Sequence, residues 1–348
     1  MTNLRMAVVG VGSLGQHHAT KLANFDDVDL VAVADPGADQ GRAVANRLDT
    51  QWVATAAELP NDLDGVVIAT PTIYHVDAAE QFLNAGVPSF VEKPLAATVT
   101  DAQHLQSLAS QTGTLLQVGH IERFNPAFEV VADRCQSPLY IKCERVSPYS
   151  FRSTDIGVVH DLMIHDIDLV LALTGSMPES VEAFGAVGIG PHEDMVVARL
   201  KMPGGTMVDL TASRMCPAAA RNLQVWTPSG CINANLHTRT VDHWRATGQF
   251  ADNPALVHTI AASTPDPRTL KDNVFGNWIQ AETIEADARD AMEGELRDFI
   301  TAIRSGGSPR VTGEDAVQAM TVADQVLQAV TLWSYQTGSV AAERRRAG

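Results

Sequence analysis

Short apolar runs and helical patterns alternate through the first third of the chain. Leu4–Val9, Val28–Ala34, Gly65–Ala69, Ser89–Val91 and Leu115–Val118 are brief runs rich in β-branched residues, too short for helices and bounded by turn residues. Between them, Leu14–Leu22, Ala38–Leu48, Tyr74–Ala85 and Thr100–Ser110 repeat their apolar residues at the helical period, which predicts amphipathic helices. Gly86-Val87-Pro88 stops the third of these, and a threonine N-cap opens the fourth. Such alternation predicts a parallel sheet with helices on both faces.

Beyond Phe124 the period changes. Val159–Leu173 reads as a helix, but Val181–Val187, Met195–Lys201, Thr206–Ser213 and Leu223–Trp226 alternate with period two. Pro203-Gly204-Gly205 makes a hairpin turn between two of them. The pattern predicts a second, α+β domain built on a large, mainly antiparallel open sheet. One sheet face is left free for another subunit, because an exposed apolar face is a liability. Thr238–Gln280 shows weak periodicity and receives no assignment. Ala291–Arg304 and Gly313–Gln336 read as helices. The boundaries drawn are 1–123 for the first domain, 124–340 for the second and 341–348 for a solvated basic tail.

Composition narrows the class. Hydrophobic residues make up 45% and aromatics 5% of 348 residues, an ordinary globular balance. A net charge of -16 argues against a nucleic-acid partner and obliges an anionic substrate to find a local basic pocket. Cys135, Cys143, Cys216 and Cys231 form no C-x-x-C pair, so free thiols in a reducing cytosol are expected. No apolar run suits a signal peptide or a bilayer span. A soluble cytoplasmic protein with no membrane partner is the expectation.

The first chemical motif is Gly10-Val11-Gly12-Ser13-Leu14-Gly15, a G-x-G-x-x-G that follows a strand and opens a helix. Its glycines permit a tight turn and close backbone approach to a pyrophosphate, and the helix N-terminus offers N–H groups to the phosphates. Asp35 ends the next strand, where a carboxylate binds ribose hydroxyls. Together they predict a Rossmann domain and a dinucleotide. Asp35 repels a 2′-phosphate and so favours NAD over NADP. Arg42 is the only nearby counter-argument, and a solvated helix face explains it as well.

Two further segments carry candidate chemistry. Glu92-Lys93-Pro94 follows a buried strand, at the strand end where such sheets bind ligands. Gly157–Asp168 reads GVVHDLMIHDID, and helical spacing puts Asp161, His165 and Asp168 on one face. Oxidising an alcohol on a nicotinamide needs a hydride acceptor and a proton acceptor. His165 titrates near neutrality without help, and Lys93 does so if burial depresses its pKa. From spacing alone these residues serve equally well as a solvated edge lysine, a structural histidine and its helical partner. A metal on His160, Asp161 and His165 is disfavoured, because the spacing is not H-E-x-x-H; no metal is expected.

VVGVGSLGQHHATKL, VAVADP, VVIATPTIYHVDAAEQFLNAGVPSFVEKPLAATV, DLMIHDIDLVLALTG and ELRDFITAIRSGGSPRVTGEDAVQAMTVADQVL resemble the glucose-fructose oxidoreductase / inositol dehydrogenase / rhizopine-catabolism (Gfo/Idh/MocA) family. The resemblance spans nearly the whole chain and is weakest over Thr238–Gln280. It implies that Lys93 is the catalytic lysine and that Asp161 and His165 contact the reacting hydroxyl, with Lys93 or His165 taking the proton. It further implies that Thr70, Pro71 and His75 contact the cofactor and that Glu92 lies beside the nicotinamide ribose. Met163 departs from the family, many members of which carry glycine there, and is expected to reshape the pocket. VGHIERFNPAF (Val118–Phe128) resembles the branch of UDP-N-acetylglucosamine 3-dehydrogenases, whose ketone product a separate aminotransferase aminates. This implies Arg123 and Asn125 as substrate contacts, with an ion pair as the alternative use of Arg123. A free-sugar or inositol dehydrogenase and a non-catalytic NAD-sensing regulator stay open as alternatives. A homodimer or homotetramer through the open sheet is expected.

Overall fold

Six parallel strands form the first sheet, in the order β3-β2-β1-β4-β5-β6. They are β1 (Leu4–Val9), β2 (Val28–Ala34), β3 (Gln51–Val53), β4 (Gly65–Ile68), β5 (Ser89–Glu92) and β6 (Leu116–Gly119). Helices α1 (Gly15–Ala23), α2 (Ala38–Arg47), α3 (His75–Asn84) and α4 (Val99–Thr112) connect them. This is the Rossmann order, and it explains the sequence pattern. Strands covered on both faces are apolar without alternation, and every residue of β4 and β5 is buried. The sequence gives no sign of β3, since Gln51-Trp52-Val53 is too short to show a period. In this computed structural model the described residues are 2–151, 156–248, 251, 253, 255–263 and 266–337. The basic tail at 341–348 lies outside them.

The chain divides into two compact units: Met1–Phe124 with Arg289–Asp324, and Asn125–Ala288 with Gln325–Gly348. The second domain drawn from the sequence ran unbroken from 124 to 340, whereas the chain returns to the first unit at Arg289. Helix α9 (Ala291–Ser305) makes the return. Its Leu296, Phe299 and Ile300 share one core with Met6, Val8, Leu22 and Phe90. Phe299 meets Phe90 edge-on, with centroids 5.9 Å apart. Asp290 caps the helix by accepting the N–H groups of Met292 and Glu293, and Lys21 pairs with the same carboxylate at 2.7 Å. A linear reading cannot reveal this, because an amphipathic stripe says that a helix packs but not against what.

The second unit carries an eight-stranded sheet in the order β14-β13-β12-β11-β7-β10-β9-β8. Its strands are β7 (Tyr140–Val146), β8 (Ser180–Ala186), β9 (Met195–Lys201), β10 (Met207–Ser213), β11 (Ala220–Thr227), β12 (Gly230–Asn235), β13 (Thr240–Ala246) and β14 (Ile279–Glu285). β7 and β10 run parallel, and the remaining neighbours are antiparallel. Helices α5 (Pro126–Arg134) and α6 (Ile164–Thr174) pack on one face, where Ile141, Leu210, Leu200 and Val225 are buried. On the other face Trp226 and Trp244 stay 48% and 37% exposed. The unassigned stretch Thr238–Gln280 contains β13, helices α7 (Leu256–Ser263) and α8 (Pro267–Asn273), and the start of β14. Its strands escape a hydropathy reading because residues such as Asp242, Glu282 and Glu285 occupy them. Helix α10 (Gly313–Thr337) ends the described chain. Among the described residues, no helix is long and apolar enough to cross a membrane.

If α9 is part of the first core, Phe299→Ala destabilises the nucleotide-binding unit by about 3–5 kcal/mol, the cost of truncating a buried phenylalanine. Urea unfolding followed by a probe in the first unit checks this. A loss below about 1 kcal/mol would mean that the helix is peripheral.

Candidate active site

Strand register assembles the site. Val9 pairs with Ala34 on one side and Ile68 on the other, Ile68 with Val91, and Glu92 with Gly119. The residues that follow these strands therefore emerge along one carboxyl edge: Gly10, Asp35, Thr70 and Lys93. Gly10 turns there with φ +83°, and a Cβ would lie 2.8 Å from the Ala69 carbonyl oxygen. A Cβ on Gly15 would lie 1.8 Å from the Gly10 oxygen, so α1 can start this close only with glycine. A Cβ on Gly12 would meet nothing within 4 Å. Gly12, Ser13 and Leu14 are exposed, and α1 opens without a side-chain cap. That is the open cradle of unpaired N–H groups that a pyrophosphate fits.

Asp35 braces this loop. Its Oδ2 accepts the Val11 N–H and its Oδ1 the Gly37 N–H, each at 2.8 Å. Carboxylate oxygens have further lone pairs, which suit ribose hydroxyls. The Arg42 guanidinium stacks 4.7 Å from the centre of the Trp52 ring. On the next strand end, the Thr70 hydroxyl is buried with no hydrogen-bond partner among the described residues, an orphan that a polar cofactor atom would satisfy. These features fit a bound dinucleotide. Pro71 precedes the turn Thr72–Tyr74 that leads into α3.

His75, for which the resemblance implies a cofactor contact, is held by backbone carbonyls on both ring nitrogens. It is 1% exposed, with Nδ1 3.0 Å from the Pro94 oxygen and Nε2 2.9 Å from the Thr70 oxygen. Burial pushes its pKa below the usual histidine value. The ring thus ties the Thr70 turn to the segment after Lys93 and holds the strand ends together. Lys93 itself is half-buried at the carboxyl end of β5. Glu92, for which the resemblance implies a place beside the nicotinamide ribose, meets His18 Nε2 at 2.6 Å. Burial opposes its ionisation, but the His18 bond and charge, together with Lys93, outweigh burial and hold the carboxyl below its ordinary range. His18 had a signal in the sequence: it lies three residues after Gly15, on the sheet-facing side of α1.

In the second unit, Val159–Met163 is wound as a π-helical turn that runs into α6, a distortion frequent at functional sites. Asp161 and His165 are half-buried on this segment. Asp168, grouped with them by spacing, is 1% exposed and belongs to the interior. Asp166 is buried in an ion pair with Arg145 at 2.7 Å. Gly157 admits the Glu193 carboxyl, which would lie 1.8 Å from a Cβ there, and the Val158 N–H donates to the Glu193 carbonyl at 2.9 Å. Met163, expected to reshape the pocket, is instead fully buried, so it fills core.

Arg123 and Asn125 are engaged structurally. Arg123 pairs with Asp315 at 3.4 Å. Asn125 caps α5 by accepting the Ala127 N–H at 3.0 Å and donates to the Leu236 carbonyl at 2.9 Å. Both ends of its amide are used by the fold.

Comparison with known proteins bears on this site. Residues 4–120 match the GFO/IDH/MocA oxidoreductase family, NAD-binding Rossmann fold, and residues 134–233 match the GFO/IDH/MocA C-terminal domain. UDP-N-acetylglucosamine 3-dehydrogenase of Acidithiobacillus ferrooxidans is 32% identical over 87% of this chain and 90% of its own. Inositol 2-dehydrogenase of Rhizobium meliloti is 28% identical over 94% of this chain and 97% of its own. The solved structure of UDP-N-acetylglucosamine 3-dehydrogenase GnnA from Acidithiobacillus ferrooxidans superposes with a TM-score of 0.83 at 30% identity, covering 95% of this chain and 98% of that one.

The glycine geometry separates fold from binding. Gly10→Ala costs more than about 1–2 kcal/mol of stability, because an L side chain must enter the left-handed region and its Cβ would also press on the Ala69 carbonyl. Gly12→Ala leaves the melting temperature near that of the parent but weakens NAD roughly tenfold, about 1.4 kcal/mol. Thermal melts and NAD titrations of both variants check this, and equal NAD affinity for Gly12→Ala and parent would contradict it.

Proposed function

The chain belongs to the GFO/IDH/MocA oxidoreductase family, and on that footing we propose that it oxidises the 3-hydroxyl of UDP-N-acetylglucosamine to a ketone. That it is an NAD-dependent dehydrogenase acting on sugar CH–OH groups follows from the family. The observation that carries the finer reading is the likeness to UDP-N-acetylglucosamine 3-dehydrogenase across nearly the full length of both chains, in sequence and in backbone.

The roles of the residues are part of this proposal. Gly10, Gly12, Ser13, Leu14 and Gly15 hold the pyrophosphate, Asp35 the adenosine ribose, and the Thr70–Pro71 turn the nicotinamide half. Bound NAD supplies the hydride acceptor for the sugar C3–H. Lys93, at the same strand edge, takes the proton as the O3–H bond breaks and the C=O bond forms. Asp161 and His165 hydrogen-bond the reacting oxygen and orient it. A ketone leaves the carbon ready for amination by a separate enzyme. We further propose that a second copy of the chain covers the sheet face bearing Trp226 and Trp244, giving a homodimer or homotetramer.

Purified protein, NAD and UDP-N-acetylglucosamine should give NADH absorbance, with a coupled transamination drawing the equilibrium forward. Lys93→Met should lower kcat by about 10²–10⁴-fold, the usual worth of a general base, while NAD still binds. NADH formation with myo-inositol and none with the nucleotide sugar would replace this substrate by the inositol alternative. Light scattering after size exclusion reads the oligomer, and a monomer at micromolar concentration would exclude the proposed assembly.

A further inference from the structure

Next to Lys93 the first unit buries a cluster that the reaction as described does not use. His18 comes from α1, Glu92 from the end of β5 and Glu295 from α9. One nitrogen or oxygen from each lies within 4.8 Å of the others. His18 and Glu295 are fully buried and Glu92 is 8% exposed. Glu92 Oε1 meets His18 Nε2 at 2.6 Å, and Glu92 Oε2 accepts the Lys93 backbone N–H at 3.1 Å. Neither oxygen of Glu295 has a hydrogen-bond partner among the described residues. Gly119 leaves the space: a Cβ there would lie 2.9 Å from Glu92 Oε2. The Phe90 ring closes the cluster, 5.3 Å from His18 and 5.9 Å from Phe299.

Two carboxyl groups this close in apolar surroundings do not both ionise. The partners decide which one keeps the proton. Glu92 has His18 and Lys93 beside it. Glu295 has burial first, then the charges of Glu92 and Asp290, all driving its pKa well above the usual range. Asp290 is itself paired with Lys21. His75 also feels the charge of Glu92, with its nitrogens on the Thr70 and Pro94 carbonyls. Glu92 is therefore the carboxylate and Glu295 the carboxylic acid.

We propose that His18, Glu92 and Glu295 form a buried positioning unit for Lys93, in which a single His18-anchored carboxylate fixes the lysine backbone and charge environment while Glu295 stays a neutral acid. This rests on Lys93 as the proton acceptor. The unit raises the proton affinity of Lys93 by one facing negative charge, not two, and so sets the pH at which the lysine works.

The test uses pH profiles of kcat/KM for the intact enzyme, with Lys93→Met as the control for the underlying reading. Glu92→Gln should move the lysine-dependent limb down by about one to two pH units, and Glu92→Asp, which keeps the charge, should largely restore it. Infrared spectra of the folded protein at neutral pH should show the carbonyl stretch of a protonated carboxyl, lost in Glu295→Gln and kept in Glu92→Gln. Linkage gives a third readout. Above the ordinary glutamate value of 4.5 the unfolded chain releases a proton that folded Glu295 keeps. Stability of the parent therefore falls as pH rises from there toward the folded pKa, and Glu295→Gln removes that fall. The infrared and linkage readouts hold even if Glu92→Gln folds poorly. If Lys93→Met is inactive but Glu92→Gln leaves the limb in place, or if the parent shows no protonated carboxyl, the positioning unit is wrong while the lysine reading stands. Turnover by Lys93→Met would instead remove the lysine reading. Stoichiometric metal in the purified protein would make the cluster a metal site and overturn the proposal.

Discussion

Gly10 and Gly15 stand where no side chain fits. A Cβ at 15 would sit 1.8 Å from the Gly10 oxygen, and one at 10 would sit 2.8 Å from the Ala69 oxygen. Because both positions are bare, α1 begins directly against the ends of β1 and β4. The helix N-terminus then points over the sheet edge, where its unpaired N–H groups and positive end favour an anion. The in-register neighbours bring Asp35, Thr70 and Lys93 to the same edge. Two hydrogens in place of two methyl groups thus leave this edge open to a pyrophosphate.

The same edge is braced from inside by polar groups rather than by apolar packing alone. His75 bridges the carbonyls of Thr70 and Pro94, and Glu92 bridges His18 and the Lys93 backbone. Buried polar bridges of this kind are directional, so they fix a geometry more narrowly than hydrophobic contact does. Their cost is desolvation, visible where burial opposes ionisation of Glu92 and pushes the Glu295 carboxyl above its ordinary range. The second unit uses the same device. Asp194 gathers the N–H groups of Gly188, Ile189 and Gly190 and pairs with Arg214, while neighbouring Glu193 receives the Val158 N–H ahead of the turn that carries Asp161.

Family membership and physical reading agree on the class of chemistry and divide the remaining work. Membership gives the oxidoreductase class and the nicotinamide cofactor. The residue-level geometry says which side chains the fold itself engages. Asn125, Met163 and Asp168 look functional in a motif, yet each is buried or fully engaged by the fold. His18 and Glu295 receive no role from the motifs, yet they lie against the carboxylate next to Lys93.

The sequence by itself determined the features that depend on neighbours in the chain. Strand–helix alternation and the glycine spacing define the Rossmann unit, because backbone sterics and hydrophobic period act over a few residues. Asp35 and Lys93 were legible because they directly follow strands, and strand ends bind ligands in such sheets. The sheet of the second unit was legible only in the strands that alternate cleanly, such as Met195–Lys201. β13 and β14 carry polar residues such as Asp242, Glu282 and Glu285 and leave no clear period to read. Only the tertiary structure decided that α9 returns to the first core, 170 or more residues after most of it along the chain. It alone turned the Glu92 carboxyl inward and set Glu295 beside it. An acidic residue in the apolar stripe formed with Phe299 and Ala302 is a visible anomaly. Its meaning depends on a partner distant in sequence, and burial and proton sharing arise only when the chain brings the two together.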